Sequence, residues 1–124
     1  MFLATNGATR MPVQLKFMPN TMRLDEEARQ YIDANFETLQ TQMRAGSRLV
    51  LVGHTDYTGE TAKNRALALR RALAVRSAFE RRGVFGIEVE SAGEQCPSGD
   101  NDTPEGRVQN RRVEIWLKPQ TAPG

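Results

Sequence analysis

The single histidine of this 124-residue chain stands in GHTDYTG, residues 53–59, among an aspartate, two threonines and two glycines. Four chemistries use such residues: metal ligation, nucleophilic catalysis, phosphate binding and the noncovalent grip of a charged ligand. Catalytic zinc takes three protein ligands, and His54 has only a distant cysteine, Cys96, to join it. No EF-hand spacing offers carboxylates to a hard cation, so neither a metal nor a cofactor is expected. His54 as a general base would need a nucleophile, and no nucleophile-elbow sequence is present. A histidine at a strand end is more often a hydrogen-bonded structural residue. Phosphate binding is disfavoured as well: the P-loop pattern is absent and Asp56 repels an anion.

Charge points away from a polyanionic partner. Basic residues number 17 against 15 acidic, a net +2. Arg65, Arg70, Arg71, Arg76, Arg81 and Arg82 crowd one stretch, but at about 100° per residue they scatter around a helix. Few aromatics accompany them for base stacking, and no nucleic-acid partner is expected. For Arg70, Arg76 and Arg81 a solvated surface is the reading. Arg71 differs. It projects with Asn64, seven residues or about two turns earlier, and Leu67, Ala68, Ala74, Val75 and Ala78 flank that direction. An arginine within a largely apolar arc needs an anionic partner, and Asp56 is the natural neighbour. The two form either a structural ion pair or, held apart, a grip on a zwitterion: carboxylate to ammonium, guanidinium to carboxylate. The residues alone leave the two readings level.

The elements that position these groups alternate. Val13, Leu15 and Phe17 show strand periodicity, ended by Pro19 and Asn20. A helix is expected over 24–43, with Asp25, Glu26 and Glu27 suited to its N-terminal end and Ala28, Tyr31, Ile32, Phe36 and Leu39 as its apolar stripe. Gly46 breaks it. Leu49, Val50, Leu51 and Val52 form a short apolar run that fits a strand buried on both faces. A second helix is expected over 60–82, stopping at Gly83. Ile87 and Val89 mark a third strand. A polar loop spans 93–110. The last strand covers 112–118, with Val113, Ile115 and Leu117 on one face and Arg112, Glu114 and Trp116 on the other. The order β-α-β-α-β-loop-β places helices on a sheet, and the final pair of strands, joined by a non-helical loop, should be antiparallel or otherwise break a purely parallel arrangement. One domain is expected at 12–118, with a flexible lead-in at 1–11 and a tail at 119–124. No run approaches the roughly 18 apolar residues of a membrane span, and the first ten residues lack a signal peptide's apolar centre. The chain is therefore cytosolic or a piece of a longer exported protein.

Several segments together resemble the OmpA-like peptidoglycan-binding domain of outer-membrane proteins, peptidoglycan-associated lipoproteins and flagellar stator proteins. They are VGHTDYTG at 52–59, Asn64 to Leu67 as N-x-x-L, RRA at 70–72, GE at 93–94 and NDTPEGRVQNRRVEI at 101–115. The resemblance covers roughly 12–118. It implies an α+β fold, a βαβαββ sandwich with helices packed on a mixed sheet. It implies noncovalent binding of peptidoglycan through the meso-diaminopimelate of the stem peptide, without catalysis, anchoring a cell-envelope protein to the wall. Asp56 would hold the ammonium and Arg71 the carboxylate, with Thr55, Asn64, Arg111 and Asn20 as further ligand contacts. The periplasm would be the compartment, any membrane attachment would lie in a parent region outside this chain, and stator-type members imply a homodimer. Alternatives from other classes are a protein-interaction module that has lost the ligand, and a cell-wall hydrolase using His54 and Asp56. Two departures stand out. Ala68 replaces a common serine, and Tyr57 occupies a position usually small or polar. Arg112 reads as a polar lead into an edge strand.

Overall fold

Asp25 starts the first helix from outside it. Its extended backbone and its carboxylate, which accepts from the Ala28 amide at 2.9 Å, make it the N-cap of α1 (Glu26–Arg44), an interaction worth about 1 kcal/mol. Glu26 and Glu27 fill the first turn and Arg44 the last, both favourable to the helix dipole. The sequence places the start at Leu24, but Leu24 bridges instead to Phe17. Ala28, Ile32 and Leu39 form the buried face.

A computed structural model describes residues 7–18, 21–54, 61–93 and 112–119. Its other elements are β1 (Thr9–Lys16), β2 (Arg48–His54), α2 (Thr61–Glu80), β3 (Glu88–Gly93) and β4 (Arg112–Lys118). β1 begins at Thr9, so residues 9–11, read from sequence as lead-in, lie in the sheet. The register slips between Arg10 and Gln14, which spans Pro12, a residue with no amide to donate. α2 ends two residues before the expected Arg82. Gly83 (φ 84°) turns the chain, and Val84 N–H to Phe79 O with Gly83 N–H to Glu80 O closes the helix in a Schellman arrangement.

The four strands lie in the order β1-β4-β2-β3. β2 and β3 are parallel, while β4 is antiparallel to both β1 and β2. The mixed sheet is as expected, but β4 does not pair with β3. It enters the middle of the sheet, so the edge-strand reading of Arg112 is corrected: β4 is flanked on both sides. Leu15, Leu49, Leu51, Val113 and Ile115 meet Ile32, Leu39, Ala72, Val75 and Phe79 in one core, which places both helices on one face. Val50 and Val52 point the other way and pack with Trp116, fully buried. The apolar run of β2 is thus covered on both faces, as its composition implies.

Gly53 sets the spacing between layers. A Cβ there would lie 2.0 Å from the Ala68 carbonyl oxygen, so only glycine allows α2 to seat on β2. Ala68 is itself fully buried, and small residues on both sides of the contact keep helix and strand close.

Candidate functional site

The strand directions gather the relevant chain ends. β1, β2 and β3 run parallel to one another and β4 runs against them, so three strand C-termini and the N-terminus of β4 share one end of the sheet. Phe17 follows β1 there, His54 closes β2 and Arg112 opens β4.

Arg71 reaches this end from α2. Its side chain is buried, with 3% of the residue exposed, and its guanidinium carbon lies 5.6 Å from the centre of the Phe17 ring, within cation–π range. Ala68, Ala72, Val75, Ala78 and Phe79 form the buried side of the same helix. The apolar arc read from sequence therefore does carry a buried cation. Arg65, Arg70 and Arg81 are exposed and Arg76 half-buried, the solvated surface expected of Arg70, Arg76 and Arg81. Arg82 crosses to α1, its Nε donating to Asp33 at 2.7 Å.

Of the six candidate ligand residues, Arg71 is the one whose side chain is described. Asn20, Thr55, Asp56 and Arg111 lie outside the described residues, as do Tyr57, Cys96 and most of the 93–110 loop. Asn64 falls on the backbone of α2, with its side chain likewise outside. By chain connectivity, Thr55 and Asp56 follow His54 and Arg111 precedes Arg112.

Across the sheet from Arg71 lies a group that sequence reasoning missed. The Glu114 carboxylate is the hub of a buried polar cluster. Its Oε1 accepts from His54 Nε2 at 2.9 Å and from Trp116 Nε1 at 3.2 Å. Its Oε2 accepts from Arg112 Nε at 3.0 Å and from Arg10 Nη1 at 3.1 Å. Arg112 Nη2 stands 3.0 Å from the same oxygen. His54, Arg112 and Glu114 are all nearly excluded from solvent. An ionised carboxylate only accepts, so His54 Nε2 is the donor in that contact. The structural reading of His54 holds, while Arg112, read as a polar lead into an edge strand, is buried in this cluster. A signal was present: Arg112, Glu114 and Trp116 share one strand face by alternation. What alternation cannot say is whether that face is covered.

Burial alone would raise the Glu114 pKa. The hydrogen bond and electrostatic pull of His54, then the charge and hydrogen bond of Arg112, outweigh it and hold the carboxyl at about 2, against an ordinary 4.5. The folded value is depressed, so the stabilisation is complete above pH 4.5 and lost as pH falls towards 2. A shift of this size corresponds to roughly 3 kcal/mol. Urea unfolding from pH 5 to 2 should show the stability fall, with a shallower slope for Glu114→Gln. Parallel slopes would contradict this account of the hub.

A family model described as OmpA family matches residues 16–111. The peptidoglycan-binding protein ArfA of Mycobacterium tuberculosis is 41% identical over 71 residues, which is 56% of this chain and 22% of ArfA. The peptidoglycan-associated lipoprotein of Pseudomonas putida is 33% identical over 115 residues, 91% of this chain and 68% of the lipoprotein. Of several curated relatives the chain spans only 9% to 22% of the length. The C-terminal domain of Helicobacter pylori MotB superposes with a TM-score of 0.78 at 24% identity, covering 90% of this chain and 88% of that one. That likeness establishes the α+β fold.

Proposed function

This chain belongs to the OmpA family, and on that premise we propose that it is a non-enzymatic binding domain for peptidoglycan, seated in the cell envelope as part of a longer protein. The ligand group is the diaminopimelate of the stem peptide, whose side chain ends in an ammonium and a carboxylate on one carbon. Asp56 takes the ammonium and Arg71 the carboxylate, with Thr55, Asn64, Arg111 and Asn20 as further contacts. The observation that carries the reading is Arg71: a cation 3% exposed at the sheet end from which the segments bearing Asn20, Asp56 and Arg111 depart. The names of ArfA and of the lipoprotein, which state that those proteins bind or associate with peptidoglycan, support the polymer. In a water-poor pocket two charge-assisted contacts supply affinity without proton transfer.

Sedimentation with purified sacculi tests it. The wild-type domain is expected in the pellet and Asp56→Ala in the supernatant. A wild-type domain that stays in solution, or an Asp56→Ala variant that pellets equally, refutes the proposal.

A further inference from the structure

We propose that Glu114 is a positioning residue for ligand binding, fixing the two strand ends from which the Thr55–Asp56 and Arg111 segments leave. The inference rests on the peptidoglycan reading for its ligand, though not for its geometry. β2 and β4 are antiparallel neighbours, with Gly53 opposite Val113, so the last residue of β2 and the first of β4 meet at one end. Backbone pairing there also ties His54 to Gly93 of β3 and Arg112 to Lys16 of β1. Glu114 adds a side-chain link. One oxygen holds His54, one bond before Thr55, and the other holds Arg112, one bond after Arg111. The link is buried and charged. Trp116 and Arg10 hold the carboxylate from the same face, Arg10 from a half-exposed position. Such a clasp transmits position because each member has one low-energy place to be. The carboxylate lies on the sheet face opposite α2 and touches no described part of the Arg71 surface. It acts on ligand through His54 and Arg112 alone.

The test compares wild type, Glu114→Gln and Ile32→Val. Ile32 is a fully buried core residue of α1 outside the clasp, so Ile32→Val lowers stability without touching it. The probe is the synthetic tripeptide L-alanyl-γ-D-glutamyl-meso-diaminopimelate, titrated calorimetrically well below each melting temperature. Backbone amide spectra of the same samples report Thr55, Asp56 and Arg111. Glu114→Gln is expected to bind about 10-fold more weakly or worse, with those three resonances displaced, while Ile32→Val binds like wild type despite its lower melting point. Affinity within twofold of wild type for Glu114→Gln overturns the proposal, as does an equal loss in Ile32→Val. If Glu114→Gln does not fold, Trp116→Phe and His54→Gln, which each alter a single contact to Oε1, carry the comparison. Severalfold losses are then expected, and wild-type affinity in both overturns the proposal. If the wild type does not bind the tripeptide, the peptidoglycan reading fails, and the resonances of Thr55, Asp56 and Arg111 alone decide the coupling.

Discussion

Gly53→Ala is expected to cost the domain about 3 kcal/mol or more, at the upper end of what overpacking does. The added carbon would lie 2.0 Å from the Ala68 carbonyl oxygen and 2.7 Å from its carbon. Both atoms are main chain, so no rotamer change relieves the overlap. Either α2 lifts off β2 or the strand bends. Each outcome opens the core where Ala72, Val75 and Phe79 meet Leu49 and Leu51. In a domain of this size the melting temperature should drop by about 10 °C or more. Gly83→Ala is the useful contrast. Gly83 has a positive φ of 84° but nothing within 4 Å of its missing Cβ, so that change carries only backbone strain, about 1 kcal/mol. Thermal unfolding of the two variants should therefore separate them clearly. A Gly53→Ala protein that melts with the wild type would show that helix and strand do not approach this closely.

Arg71→Met is expected to separate stability from binding. Methionine keeps most of the volume while removing the charge and its place over the Phe17 ring. If Arg71 is there to bind a ligand carboxylate, the main loss falls on affinity, and stability changes only by the contacts the guanidinium makes within the domain. Affinity for the diaminopimelate peptide should fall by about 100-fold or more, the scale of removing one partner of a buried, hydrogen-bonded charge pair. The internal ion pair with Asp56, level with this reading on residue types alone, gives the opposite pattern. Removing one member would leave a buried carboxylate and cost roughly 3–5 kcal/mol of stability. Urea melts and a binding titration on one preparation discriminate the two. Lost stability with unchanged affinity would assign Arg71 to the fold.

Local signals in the sequence read well and nonlocal ones did not. Gly83 ends α2, the direction of Arg71 on that helix is correct, and the run from Leu49 to Val52 is buried on both faces, because each follows from a few neighbouring residues. The start of α1 shifted by two positions once Asp25 proved to be its cap and Leu24 paired with Phe17. The place of β4 was not legible. Strand order depends on contacts across the whole chain, and Arg112 to Lys118 has the same alternation at an edge or in the centre. Putting β4 between β1 and β2 makes a buried cluster of Arg112 and Glu114, on a strand face whose covering alternation leaves undecided. The role of Gly53 was equally hidden, since its partner is a carbonyl 15 positions later in the chain. At the candidate site, the residue types pointed to a zwitterion or an internal pair. Family resemblance supplied the particular ligand, and the structure adds the burial of Arg71 and its ring partner.

The proposed function requires the domain to grip both charges of one amino-acid end. Calorimetric titration with two tripeptides tests it most directly: one ending in meso-diaminopimelate, the other in lysine, which keeps the ammonium but lacks the adjoining carboxylate. The expected result is saturable binding of the first, about 100-fold or more tighter than the second. Equal affinity for the two peptides, or no binding of the diaminopimelate peptide, would contradict the account.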